Sequence, residues 1–208
     1  MKVLQVGKFY PIRGGVEKVM WDLTKGLRDK GIDTKMLCAE MPGDGIDAAD
    51  LKFDTMGGKG LRFNEHGRVI FAKSYAKVAA TMMSPAMVFK MRKLIRDAQK
   101  SGKPYDVVHV HHPDPMACVA LFFSGYKGKV VLHWHSDILK QKGLLQLFMP
   151  LQSWMIRRAD KIVGTTPVYV QQSPYLQGAQ DKITYLPIGT EGIPVVPQPV
   201  SEVKMIYS

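Results

Sequence analysis

KVLQVGKFYPIRGGVEKVMWDLTKGLRDKGIDTKMLCA, residues 2–39, is the stretch on which the fold turns. It opens with KVLQV (2–6), a short apolar strand that runs into the turn-rich GKFYPIRGG. From Gly15 onward Val16, Val19, Met20, Leu23 and Leu27 recur at three-to-four spacing, the stripe of an amphipathic helix, and Gly31 stops it. DTKMLCA (33–39) is the next strand. A crossover helix between two strands implies parallel pairing, and such connections are overwhelmingly right-handed.

Working outward, the alternation pauses and then resumes. Residues 41–50 read as loop, 51–56 (LKFDTM) as a short strand and 57–60 (GGKG) as a turn. SPAMVFKMRKLIRDAQKSG (84–102) is a helix with Ser84 as N-cap and Pro85 in its first position. Met87, Met91, Leu94 and Ile95 make its apolar stripe. YDVVHVH (105–111), KVVLHWH (129–135), KIVGTT (161–166) and KITYLP (182–187) follow as strands. The first two enclose a helix over 115–125, and a second helix covers 144–160 despite Pro150, which should kink it or break its hydrogen-bond ladder. The order predicts an α/β fold, a Rossmann-like doubly wound, mostly parallel sheet with helices on both faces. The first domain spans 1–186. PIGTEGIPVVPQPVSE (187–202) reads as a proline-rich interdomain linker, and 203–208 as the start of a second, truncated domain.

The 208 residues suffice for one sizeable core, and 46% hydrophobic with 23% charged residues is an ordinary globular composition. No apolar run approaches the roughly 20 residues needed to span a bilayer, and no signal peptide is evident, so a cytoplasmic setting is expected. Cys38 and Cys118 are far apart and out of any metal spacing, and are read as reduced, buried thiols. A net charge of +11 favours anionic partners. Much of the excess lies between Lys59 and Lys100, where ten basic residues, Lys90, Arg92, Lys93 and Arg96 among them, face only Glu65 and Asp97. That tract is either a solvated surface or a face that meets anionic lipid headgroups.

In an open parallel sheet, ligands bind beyond the carboxyl ends of the strands, where the strand order reverses. Polar packets sit at those ends: GKFYPIRGG, HHPDP, HSD and TTP. The Gly14–Gly15 pair precedes a helix, whose free N–H groups and positive dipole end suit a phosphate. Five of the six histidines, His109, His111, His112, His133 and His135, lie near two strand ends. Two H-x-H pairs are in principle a zinc pattern. Without a DxD or HExxH motif, and with Asp114 and Asp137 the only nearby carboxylates, we expect no metal. His109 and His133, further inside their strands, are read as packed histidines satisfied by backbone. Lys140 and Lys142 suit phosphate contact as point charges.

Taken together, GKFYPIRGGVEKVMWDLTKGLRDKGIDTKMLCA, DVVHVHHPDPMA, VVLHWHSDILKQK, RRADKIVGTTPVY and SPYLQGAQDKITYLPIGT resemble the N-terminal half of a retaining family-four glycosyltransferase of the GT-B fold, over roughly residues 1–190. The resemblance implies a sugar-nucleotide-dependent transferase with two Rossmann-like domains, the N-terminal one mainly binding acceptor. It places Gly14 and Gly15 near the donor diphosphate and His135 against the transferred sugar in the active cleft. Phe9, Tyr10 and Arg13 shape the acceptor side, together with His111, Ser136 and Asp137, and Lys140 faces an acceptor phosphate. The donor would be a uridine or guanosine diphosphate sugar, used without a metal or other cofactor. The acceptor would be a glycan or lipid-linked phosphate in cell-surface polysaccharide or glycolipid synthesis, with the enzyme peripheral on the membrane's inner face. A non-catalytic nucleotide- or effector-binding module of flavodoxin type is the alternative. RNA binding is disfavoured, since Lys and Arg are not interleaved with stacking aromatics.

Overall fold

The computed structural model describes residues 1–10, 15–40, 51–53, 62–64, 69–78, 81–138 and 142–189. Strand β1 (Lys2–Tyr10) leads through α1 (Gly15–Asp29) to β2 (Asp33–Glu40), the β-α-β unit expected from the opening stretch. Two short antiparallel pairs follow, β3 (Leu51–Phe53) with β4 (Arg62–Asn64), and β6 (Ala76–Val78) with β7 (Thr81–Met83). Between them β5 (Val69–Ala72) returns to the main sheet beside β2. Helix α2 (Pro85–Lys100) then precedes β8 (Val107–His112), α3 (Pro115–Ser124), β9 (Lys129–Trp134), α4 (Lys142–Arg158) and β10 (Lys161–Gly164). Helix α5 (Pro167–Gln172), a 3-10 helix (Gln177–Lys182) and β11 (Ile183–Tyr185) complete the described chain.

The main sheet has seven strands in the order β11-β10-β9-β8-β1-β2-β5, and every pairing in it is parallel. From β1 the chain winds one way to β2 and β5. It then crosses to the other side of β1 and runs β8, β9, β10, β11. The switch point is therefore the gap between the carboxyl ends of β1 and β8, where an open α/β sheet takes its ligands.

Side-chain alternation divides the sheet into two unlike faces. Leu4 and Val6 of β1, Val108 and Val110 of β8, and Val130, Leu132 and Trp134 of β9 join one large core with α2, α3 and α4. On the other face a smaller cluster, Met20 of α1 with Met36, Cys38, Val69 and Phe71, lies over β2 and β5. Cys38 and Cys118 are both free and buried, as expected, and burial raises both thiol pKa values far above the ordinary range.

Three local expectations need correction. Ser84 precedes α2, but its hydroxyl makes no cap; it donates to the Lys73 carbonyl at 2.8 Å and ties the helix entrance to the chain leaving β5. Helix α4 starts at Lys142 rather than 144 and runs through Pro150 without interruption. Pro150 has no N–H to give the Gln146 carbonyl, and both residues are exposed, on the side of the helix where solvent can meet that acceptor. Strands β4 to β7, α5 and the 3-10 helix were not anticipated. Most of the presumed linker and all of 203–208 lie outside the described residues, and Pro187, Ile188 and Gly189 are exposed.

Candidate functional site

The carboxyl end of β1 is drawn tightly onto β8. Gly7 has φ +138°, and a Cβ there would come within 3.2 Å of the His111 carbonyl oxygen, so only glycine fits this approach. Lys8 follows with φ 57°, in the left-handed region that a non-glycine residue rarely enters. Its N–H donates to Asp114 Oδ2, and its Nζ donates to the Pro113 carbonyl at 2.6 Å. Asp114 also caps α3, accepting from the Ala117 N–H at 3.0 Å. One carboxylate thus pins β1, the turn after β8 and the start of α3. Burial raises its pKa, against the opposing pull of Lys8 and the donated N–H groups.

Beside this clasp four imidazoles form a column. His109 and His111 point from β8 to the α1 side, where His133 of β9 and His135 just beyond it meet them. Ring centroids lie 4.7 Å apart for His109–His111, 5.4 Å for His109–His133 and 4.0 Å for His133–His135. His111 bonds along the column: its Nε2 lies 2.7 Å from Gln5 Oε1, and its Nδ1 lies 3.0 Å from His135 Nε2. Burial keeps all four neutral. It lowers His109 to about 3, His133 to about 4 and His135 to about 2, and His111 well below its ordinary value.

His109 and His133 are buried as expected, but backbone does not satisfy them. Among the described residues His109 Nε2 and both ring nitrogens of His133 have no hydrogen-bond partner. In-register strands instead stack the rings on one another. The nitrogens of His109, His111 and His133 come within 4.8 Å of each other, which is close for a metal set. The three planes are nearly parallel, at 11° to 26°, so their in-plane lone pairs run side by side. Imidazole ligands must converge on one ion at about 2.0–2.1 Å, which this stacking does not provide.

His112 takes the opposite side. It stacks on Trp134 at 3.8 Å, and its Nε2–H donates to Gln152 Oε1 at 3.2 Å, which makes it part of the core. Asp137, expected to meet an acceptor, ties one carboxylate oxygen to neighbouring side chains. Its Oδ1 accepts from Trp134 Nε1–H at 2.8 Å and from the Ser173 hydroxyl at 2.9 Å, while its N–H donates to the Tyr169 hydroxyl. These contacts fix the segment that follows β9. Ser136 and His135 lie half-buried on the same segment.

Gly15 opens α1 in the left-handed region, φ +56°, and is exposed. Phe9 and Tyr10 close β1, their backbone pairing with Ala39 and Glu40 of β2. Arg13, Gly14 and Lys140 lie outside the described residues. On α2, Arg92 and Arg96 are exposed, and Lys93 pairs with Asp97. Lys90 donates to the Phe71 carbonyl, so it does not belong among free surface charges. Gln5 and Lys8 were missed as site residues. The signal for Gln5 was a lone amide inside the apolar run KVLQV; for Lys8 it was its place after Gly7 at a strand end.

Comparison with known proteins gives a consistent result. The family model described as Glycosyltransferase Family 4 matches residues 13–191. The O-antigen chain mannosyltransferase C of Escherichia coli is 33% identical over 194 residues, 92% of this chain and 46% of that protein. The chain spans about half the length of the curated relatives it matches. Among solved structures, the lipopolysaccharide outer core galactosyltransferase WaaB superposes with a TM-score of 0.55 at 16% identity, over 96% of this chain and 50% of its own. Anabaena HepE, solved with UDP, gives 0.52 at 16% identity, over 92% of this chain and 45% of its own.

Proposed function

Because this chain belongs to glycosyltransferase family 4, we propose that it is the acceptor-side half of an enzyme that moves a sugar from a nucleotide donor to a glycan or lipid-linked acceptor. The transfer retains anomeric configuration, needs no metal, and serves cell-surface polysaccharide or glycolipid assembly. The name of the O-antigen relative and that of the lipopolysaccharide neighbour support this setting, and the UDP held by Anabaena HepE supports a nucleoside diphosphate sugar, uridine- or guanosine-linked, as donor. Among the described residues no helix is long and apolar enough to cross a membrane. The exposed arginines of α2 are the charges that would bring the protein to an anionic bilayer surface on the cytoplasmic side.

The observation that carries this reading is His135. It leaves β9 at the rim beside the switch point, bonded to His111 on one side and half-open on the other. Held neutral, it offers a fixed polar atom to a sugar hydroxyl rather than a charge. Gly15 brings the amino end of α1 to the same rim, where backbone N–H groups meet a diphosphate. In the full-length protein, His135→Ala should lower sugar transfer about a hundredfold, as loss of one positioned polar group does elsewhere, and leave the unfolding temperature unchanged. Wild-type turnover would remove His135 from the active cleft. Collapse of the fold would make it a packing residue.

A further inference from the structure

The Gln5 side chain is fully buried, 106 residues from His111 in sequence, and its amide oxygen lies 2.7 Å from His111 Nε2. With the Gln5 amide oxygen turned to the ring, and Gln5 Nε2 left without a partner among the described residues, the oxygen can only accept, so in this orientation His111 Nε2 carries the proton. A neutral imidazole has one N–H, which leaves His111 Nδ1 with a lone pair. His135 Nε2, 3.0 Å away, must therefore donate to it. The remaining nitrogen, His135 Nδ1, is then an acceptor, and among the described residues it has no partner. Each step follows from the donor and acceptor inventory of the preceding group.

We propose that Gln5 and His111 are positioning residues that lock His135 in its Nε2–H tautomer, so that Nδ1 presents a lone pair to the rim. The site thereby selects a ligand that offers a hydroxyl donor there and disfavours one that offers only acceptor oxygens, such as a carboxylate. The role of that ligand as substrate rests on the transferase reading; the tautomer does not. A site built to pair one hydrogen-bonding type leaves its own polar atom unpaired against the wrong one.

Nitrogen-15 NMR of the histidine-labelled 208-residue chain at neutral pH reads the tautomer directly. The expected spectrum shows His135 with protonated Nε2 and bare Nδ1, and His111 likewise. Gln5→Met fills the same space without a strong acceptor and should release His135 into a mixture of tautomers. Gln5→Glu keeps an acceptor oxygen in place and should restore the wild-type pattern. In the full-length protein the Gln5→Met change should cost about tenfold in transfer, one hydrogen bond's worth, with Gln5→Glu recovering most of it. A wild-type spectrum with His135 Nδ1 protonated overturns the proposal, as does an unchanged tautomer in Gln5→Met. Should Gln5→Met fail to fold, the wild-type spectrum alone decides. Correct tautomers with no effect on transfer would leave the relay standing and remove the transferase role of His135.

Discussion

Strands β8 and β9 carry two chemistries back to back. Toward α2, α3 and α4 they present Val108, Val110, Val130, Leu132 and Trp134, all buried in hydrocarbon. Toward α1 they present His109, His111 and His133, with His135 just beyond the end of β9. One residue of register separates the two sets, because successive side chains in a strand point to opposite faces. The apolar face contributes hydrophobic burial. The imidazole face is buried with three ring nitrogens that find no partner among the described residues, an arrangement that costs stability. That contrast is the lesson: positions that a stability argument would fill with valine carry buried imidazoles instead, and the column they form ends at half-buried His135 beside the switch point.

The widest break between the two faces should come from acid. Every histidine in the column, and His112 behind it, has a folded pKa below its ordinary 6.5, chiefly through burial. The unfolded chain therefore binds more protons, and stability rises with pH across the window between the two values. The contribution is fully present above about pH 6.5 and is lost as pH falls toward about 2 to 4. Asp114, with its pKa raised, works in the opposite sense, but it is one group against five. The expected outcome is cooperative unfolding well above pH 3, with uptake of several protons, followed by circular dichroism and calorimetry. Unchanged stability from pH 7 to pH 4 would mean that the imidazoles are solvated and that the column is not a buried face.

A paired substitution sharpens the comparison on one strand. Trp134 is fully buried, stacked on His112 and bonded to Asp137, so Trp134→Ala should cost about 3–5 kcal/mol through the cavity it leaves. His133, its neighbour in sequence, is 1% exposed, and among the described residues neither ring nitrogen has a partner. His133→Leu removes two stranded polar atoms and keeps the volume, so its change should be within about 1 kcal/mol or stabilising. Denaturant melts of the two variants test the pair. Equal and large losses would show that His133 has a partner, a water or an ion, and that the two faces are energetically alike.

What the sequence made legible follows from the same periods. The β-α-β opening, the strand ends and the apolar stripe of α2 are local patterns, repeating every two or about 3.6 residues, and the structure carries them. Pairing across long stretches of chain was not legible. Nothing local says that Gln5 meets His111, that Lys8 reaches Asp114, or that the Ser173 hydroxyl reaches Asp137. Ser84 looked like a cap because caps are local, and its hydroxyl was taken by a carbonyl eleven residues upstream instead. The short strands β4 to β7 and helix α5 lack the length over which a period can be recognised.

The smallest expected effect concerns α2, whose two sides repeat the contrast at a milder level. Met87, Met91, Leu94 and Ile95 are buried against the sheet, while Arg92 and Arg96 stand in solvent. Lys90 is spent on the Phe71 carbonyl and Lys93 on Asp97, which leaves the two arginines as the charges to change. Arg92→Gln with Arg96→Gln should alter stability by less than about 0.5 kcal/mol, since neither side chain is buried. Near an anionic bilayer each charge contributes about 1 kcal/mol, attenuated within a Debye length of roughly 8 Å at physiological salt. The double variant should therefore partition roughly thirtyfold less onto anionic vesicles at low salt and no differently onto neutral ones. Co-sedimentation at two salt concentrations reads this directly. Equal recovery of the variant and the unmodified chain on anionic vesicles would leave the arginines as solubilising surface, and the polar side of α2 would then have no partner to account for.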